Sequence, residues 1–119
     1  VVYASESIAL AALELLVHVD PPEAPDDLVV IPADIPAGLA TTQLTTRTLP
    51  TGWRSTAGLA ALQDLGRSWL RGGKTAVLSV PSVVVPEERN FILNPSHPDF
   101  ARIKRGVPKA FALDPRLYR

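Results

Sequence analysis

A chain of 119 residues with 46% apolar and 20% charged side chains has the composition of one globular domain, long enough to bury a core and too short for two. The absence of cysteine excludes a disulfide framework and thiolate metal sites, and two histidines, His18 and His97, cannot build a zinc centre, so no metal is expected. A net charge of zero argues against a nucleic-acid binder, and no apolar run approaches membrane-spanning length. The apolar start lacks the basic region of a secretory signal, so a cytoplasmic location is expected.

Val1 to Tyr3 reads as the end of a strand. Ser5 or Ser7 can cap a helix, with Glu6 favourable beside its positive end, and the helix is expected to run to about Val19. The prolines of "DPPEAPDD" stop it. From Ile8 to Val17 every residue except Glu14 is apolar, so this carboxylate must be exposed on a narrow stripe, paired, or placed for chemistry. His18 on the same helix reads as a partly buried histidine with a backbone partner.

"LVVIP" predicts a short buried strand, and the Thr- and Pro-rich residues 33–52 predict short extended pieces and turns. "STAGLAALQDLGRSWLRGG" predicts a second helix capped by Ser55 or Thr56 and ended by Gly72-Gly73, with Leu59, Leu62, Gly66, Trp69 and Leu70 on one face. "TAVLSVPSVVVPEE" is strand-like on both sides of Pro81-Ser82, and proline there implies an edge, a bulge or two strands. "NFILNPSHPDF" starts extended and turns at Asn94-Pro95, and "KAFALDP" predicts a last strand. Early helices with distributed strands imply an α+β class in a single compact domain spanning residues 1–119.

Charge is unevenly divided. Residues 1–60 carry two Arg against seven acids, and residues 61–119 carry ten Lys or Arg against five acids. The stretch "ARIKRGVPKAFALDPRLYR" has six bases and one acid. It has no aromatics interleaved for base stacking, so it reads as a solvated face or a patch for an anionic ligand or acidic partner protein. Arg47 and Arg54 are the only bases before residue 61, and both lie in or beside the Thr- and Pro-rich middle.

Glycine-rich phosphate loops and a GxSxG elbow are both missing. His97, Asp99 and Ser82 can be drawn as a triad, but no spacing rule favours it. Trp53 and Trp69 read as packing residues. Three places stand out: Glu14, Ser82 beside Pro81 in an apolar run, and the polar-rich "EERNFILNPSHPD" directly after it.

The same places carry a family resemblance. "VYASES", "ALAALELLVHVD", "GRSWL", "GGKTAVLSVPSVVVPEERNFILNPSHPDF" and "FALDPRL", occurring in that order, resemble the RES domain. RES proteins are toxins of toxin–antitoxin pairs whose antitoxins carry an Xre-like helix-turn-helix region. The similarity covers nearly all of the chain apart from residues 33–52. It implies a fold related to ADP-ribosyltransferases, with mixed β-sheets and flanking helices, and NAD as the substrate.

By the same resemblance Glu14 matches the family's Glu, eleven positions after the Tyr matched by Tyr3, and Ser82 matches its Ser. Glu14 and Ser82 are thereby implied as catalytic, and Tyr3, Ser82 and Asn94 as NAD contacts. The family's Arg lies upstream of the Tyr, so it is expected in a segment preceding Val1. The implied activity is cleavage of the nicotinamide–ribose bond by phosphorolysis or hydrolysis. The alternatives are ADP-ribose transfer to a protein and a non-catalytic antitoxin-binding domain. The implied partner is the antitoxin, with DNA reached only through it, no membrane, and a homodimer within the complex left open.

Overall fold

The apolar run beginning at Ala76 becomes the inner strand of a four-stranded sheet. In the computed structural model, which describes residues 1–19, 23 and 25–118, strand β5 (Val77–Pro81) lies between β6 (Arg89–Leu93) and β4 (Thr41–Gln43). Strand β1 (Val2–Ser5) completes the order β1-β6-β5-β4. The β1–β6 and β5–β6 pairs are antiparallel and β4–β5 is parallel. Helices α1 (Ile8–Leu16) and α2 (Leu59–Gly72) complete an α+β domain, the class that the order of elements implied.

Helix α1 starts at Ser7, whose hydroxyl accepts the Leu10 N–H at 3.1 Å. Ser5 is left for another role. The helix ends at Leu16 rather than Val19, because Val17, His18 and Val19 are weak helix formers and wind up in a terminal turn. His18 is exposed there, against the expectation of partial burial. Of the "DPPEAPDD" stop signal, Asp20, Pro21, Pro22 and Ala24 lie outside the described residues.

Before α2, the Ser55 hydroxyl accepts the Gly58 N–H at 3.1 Å and opens a 3₁₀ turn over Thr56–Gly58. At the far end Gly73 adopts φ +62°, a left-handed conformation that an L side chain rarely takes, and its N–H bonds the Trp69 carbonyl. Trp69 is buried, but Leu59 and Leu70 of the expected apolar face stay exposed.

Two expected strands are corrected. Beyond Pro81 no second strand forms: the Ser82 hydroxyl accepts the N–H groups of Val84 and Val85, both at 3.0 Å. That curls the chain and takes the donors a strand would present to a neighbour. The segment from Ser82 to Glu88 is instead the loop into β6, closed by the Ser82 N–H on the Glu88 carbonyl at 2.9 Å.

"LVVIP" is likewise not a buried strand. Only β2 (Val29–Val30) pairs, with β8 (Lys109–Ala110), and Val29 stays 54% exposed. After Pro32, which lacks an N–H, β3 (Ala33–Asp34) pairs with β7 (Lys104–Arg105). Only Lys109 and Ala110 of "KAFALDP" enter a ladder.

Alternation divides the main sheet into two faces. On one, Val77, Leu93 and Phe91 pack with Ala76, Leu39, Ile35, Phe100 and Ile103, forming the core. The other face carries Tyr3, Ser5, Asn90, Ile92, Leu78 and Val80 and receives the helices. A polar knot ties α2 to the sheet edge. The Trp69 indole N–H donates to Thr75 Oγ1 at 2.9 Å, and Thr75 donates onward to the Val77 carbonyl at 3.0 Å. The Thr75 proton is thereby committed, so Thr42, 2.7 Å away, is the donor in the hydroxyl pair.

Thr75→Val keeps shape but strips the partner from the indole N–H. It is expected to lower stability by about 1–3 kcal/mol, with Thr75→Ser retaining most of it. Urea unfolding of the three proteins checks this, and equal midpoints for valine and threonine would remove the knot from the stability argument.

Candidate active site

Leu10 is 1% exposed, and Glu14 follows it by one helical turn on the same face of α1. The lone carboxylate of the apolar run therefore points toward the sheet and not into solvent. Its Oε1 accepts two hydrogen bonds of 2.7 Å, from the Ser82 hydroxyl and from the Asn90 side-chain amide. Ser82 is wholly buried at the start of the β5–β6 loop. Asn90 on β6 is joined in turn by the Ser5 hydroxyl of β1, which donates to Asn90 Oδ1 at 2.7 Å. Three segments, α1, the β5–β6 loop and β6, thus meet at one carboxylate, and β1 joins them through Asn90.

Tyr3 stands directly opposite Ile92, and Ser5 directly opposite Asn90, so all four share one face. Tyr3 is therefore two residues along β1 from the Ser5–Asn90 contact. It is 76% exposed and, with Ile92, Trp69, Leu62, Gln63 and Arg67, lines a groove of about 410 Å³ between α2 and the β1–β6 edge. Glu14, Ser82 and Asn90 do not line this groove, which joins their cluster only through Tyr3 and Ile92 on the shared sheet face.

Comparison with known proteins places the chain in a family. Residues 1–114 match the RES domain. The chain belongs to the RES domain family. It is 37% identical over 121 residues to the Prs ADP-ribosylating toxin of Sphingobium sp. (strain YBL2), an alignment covering 100% of this chain and 75% of that protein. It is 36% identical over 117 residues to Toxin Res of Yersinia enterocolitica, covering 98% of this chain and 76% of that protein. To Toxin Res of Photorhabdus laumondii it is 35% identical over 119 residues, covering 99% and 76%.

In this RES domain, Glu14 and Ser82 are in direct contact, and Tyr3 is on the same face as Glu14's partner Asn90. Asn94 is elsewhere. It sits just past the opposite end of β6, where its Oδ1 accepts the Ser96 N–H at 3.0 Å and its own N–H bonds the Ala76 carbonyl at 2.8 Å. It closes a turn and is not among the groups bonded to Glu14. The triad drawn from His97, Asp99 and Ser82 does not form: His97 Nδ1 accepts the Asp99 backbone N–H, capping the 3₁₀ turn Pro98–Arg102, while Ser82 is bonded to Glu14.

Two further residues join the cluster only in the folded chain. Asn90 carries no motif inside "EERNFIL", although strand periodicity from Ile92 places it on the helix-bearing face. Arg54 lies beside the Thr- and Pro-rich middle, and its Nε donates to the Val83 carbonyl at 3.0 Å, next to Ser82. Nothing local in "GWRS" signals that contact. Among the described residues no group of three or more His, Asp or Glu is set to hold a metal ion, and no helix is long and apolar enough to cross a membrane.

The buried Ser82 hydroxyl should protect the amides it holds. In Ser82→Ala, hydrogen exchange at Val84 and Val85 is expected to accelerate by about ten-fold or more, equivalent to roughly 1.4 kcal/mol of lost local stability. Unchanged exchange at both amides would show that the loop is held by other contacts.

Proposed function

We propose that this RES domain is the toxin of a toxin–antitoxin pair and breaks the nicotinamide–ribose bond of NAD. The observation that carries the reading is the Glu14 carboxylate, facing inward from an apolar helix and hydrogen-bonded by Ser82 at 2.7 Å. When the bond from the ribose C1′ to the pyridinium nitrogen breaks, its electron pair returns to the nitrogen. Nicotinamide leaves neutral, and positive charge develops on the ribose. A fixed carboxylate in a partly desolvated site stabilises that charge more than water does. Its placement on a helix docked to a sheet gives it the rigidity that such a role needs.

In this reading Tyr3 stacks on or orients the nicotinamide at the groove, and Ser82 holds Glu14 at the edge of the ribose site. Asn94 serves NAD binding through the turn it closes at the end of β6. Phosphate or water accepts the ADP-ribosyl group. The name of the Sphingobium relative, an ADP-ribosylating toxin, favours a second reading in which a protein is the acceptor. Mass spectrometry of NAD incubated with the protein, with and without phosphate and a bacterial extract, separates them. An ADP-ribose phosphate product, free ADP-ribose, or a mass increment on a protein each identifies one acceptor. No loss of NAD under any condition would leave the non-catalytic antitoxin-binding domain.

Glu14→Gln keeps the size and the hydrogen-bonding reach of the side chain and removes the charge. It is expected to lower nicotinamide release by ~10²–10³-fold, about 2.7–4 kcal/mol of barrier, with the fold retained. Near wild-type turnover by the folded variant would sink the assignment.

The partner in this reading is an Xre-like helix-turn-helix antitoxin that covers the NAD site in the cytoplasm and supplies any contact with DNA. Arg102, Lys104 and Arg105 are exposed, and the ion pairs of the described residues, Arg67 with Asp64 and Arg116 with Asp114, do not involve them. Acidic groups of the antitoxin are expected to meet this patch. Raising ionic strength should then slow association more than it speeds dissociation, a difference that stopped-flow mixing resolves. Association rates flat in salt would eliminate the electrostatic contribution.

A further inference from the structure

We infer that Ser5 and Asn90 are positioning residues that turn the Glu14 carboxylate so that its second oxygen, Oε2, is the one presented to the NAD ribose. The inference rests on the reading of Glu14 given above and extends it to residues that touch no substrate.

The direction of every hydrogen bond in the cluster is forced. Ser82 Oγ already accepts two bonds, from the N–H groups of Val84 and Val85, so its single proton must go to Glu14. Asn90 faces a carboxylate oxygen, which accepts only, so its amide must turn Nδ2 toward Glu14 and Oδ1 away. Oδ1 then faces Ser5, whose hydroxyl must donate to it. Two separate chains of donors, one from the β5–β6 loop and one from the sheet, end on the same atom, Oε1.

Oε2 receives no hydrogen bond from the described residues. Nor is it a buried atom without a partner, because the described residues contain none. It therefore keeps some surface accessible to solvent at the half-buried Glu14. A carboxylate held by one bond can swing about its last torsion, which is soft. Two donors arriving at one oxygen from different segments remove that freedom, leaving the other oxygen both free and aimed. Ser5 and Asn90 are a registered cross-strand pair, so their contribution is set by the sheet and not by a loop.

Groups that act only through Glu14 should change turnover and not NAD affinity. Asn90→Leu removes the amide at similar volume and is expected to lower kcat by about ten- to a hundred-fold with KM for NAD nearly unchanged, the scale of a displaced catalytic group. Ser5→Ala should cause a smaller loss of the same kind, and Ser5→Thr, which keeps the hydroxyl, should restore kcat. Because Ser5 acts through Asn90, the double variant should be no worse than Asn90→Leu alone.

Nicotinamide release by the full chain, with steady-state parameters and melting curves for each protein, tests this. The Ser5→Ala and Ser5→Thr comparison stays decisive even if Asn90→Leu does not fold. Independent, multiplying losses, a rise in KM with kcat kept, or full kcat in folded Ser5→Ala and Asn90→Leu would each overturn the positioning role. If the wild type releases nicotinamide and Glu14→Gln does not, such a result rejects only this inference. A wild type or Glu14→Gln result that contradicts the catalytic carboxylate rejects the reading beneath it as well.

Discussion

A carboxylate turned inward from an apolar helix has to be given hydrogen-bond donors, since desolvating it without them costs several kcal/mol. The architecture around Glu14 answers that requirement from two directions. The β5–β6 loop curls so that Ser82 takes two backbone N–H groups on its oxygen and has only its proton left to give. Strand β6 pairs with β1 so that Asn90 lies beneath the helix with Ser5 behind it. A one-residue slip of β6 would send Asn90 to the opposite face and bring Arg89 or Phe91 beneath the carboxylate. The sheet register, the loop and the docking of α1 are therefore coupled at one oxygen atom.

The two faces of the sheet have separate tasks, and Arg89 and Asn90 show the division at neighbouring positions. Asn90 belongs to the site. Arg89 points to the other face, where Nε donates to Ser79 Oγ at 2.5 Å and a terminal nitrogen donates to the Ser79 carbonyl at 3.0 Å and to the Leu44 carbonyl. This guanidinium staples β6, β5 and the end of β4 beside the apolar core of Val77, Leu93 and Leu39. Rigidity from that staple and core is transmitted to the site because the same strands carry both faces.

Three basic residues near the end of the chain lie outside this sheet. Lys104, Arg105 and Lys109 sit on the short ladders β3–β7 and β2–β8, outside the four-stranded sheet. Proline and glycine shape this ribbon: the Gly106 N–H bonds the Pro32 carbonyl at 2.8 Å, and a Cβ at Gly106 would come to 2.5 Å from the Pro32 ring. Two-stranded ladders this short take their order from the body of the domain more than from their own pairing. Lys104, Arg105 and Lys109 are thus held on ladders separate from the sheet that carries Asn90 and Ser5.

Local rules made much of the chain legible. Ser55 and Gly73 as helix limits, Trp69 as a packing residue, the turn at Asn94-Pro95, the α+β class and the oddity of Glu14 all follow from propensities, caps and periodicity that act over a few residues. Ser82 stands out in the same way, and resemblance to the RES family points to Tyr3. What no local rule could supply is which groups meet: Ser82 and Glu14 are 68 positions apart, Asn90 and Glu14 are 76, and Ser5 and Asn90 are 85. Strand register and helix docking bring those pairs together, and both are decided by burial summed over the whole domain. For the same reason local rules do not separate Ser5 from Ser7 as a cap, and they make Val83 to Val85 look like a strand. The sequence by itself determined that a carboxylate stood where only a partner or a function could explain it. The tertiary structure alone decided that Ser82 and Asn90 are its partners, because a hydrogen bond needs two atoms within about 3 Å and chain separation says nothing about that distance.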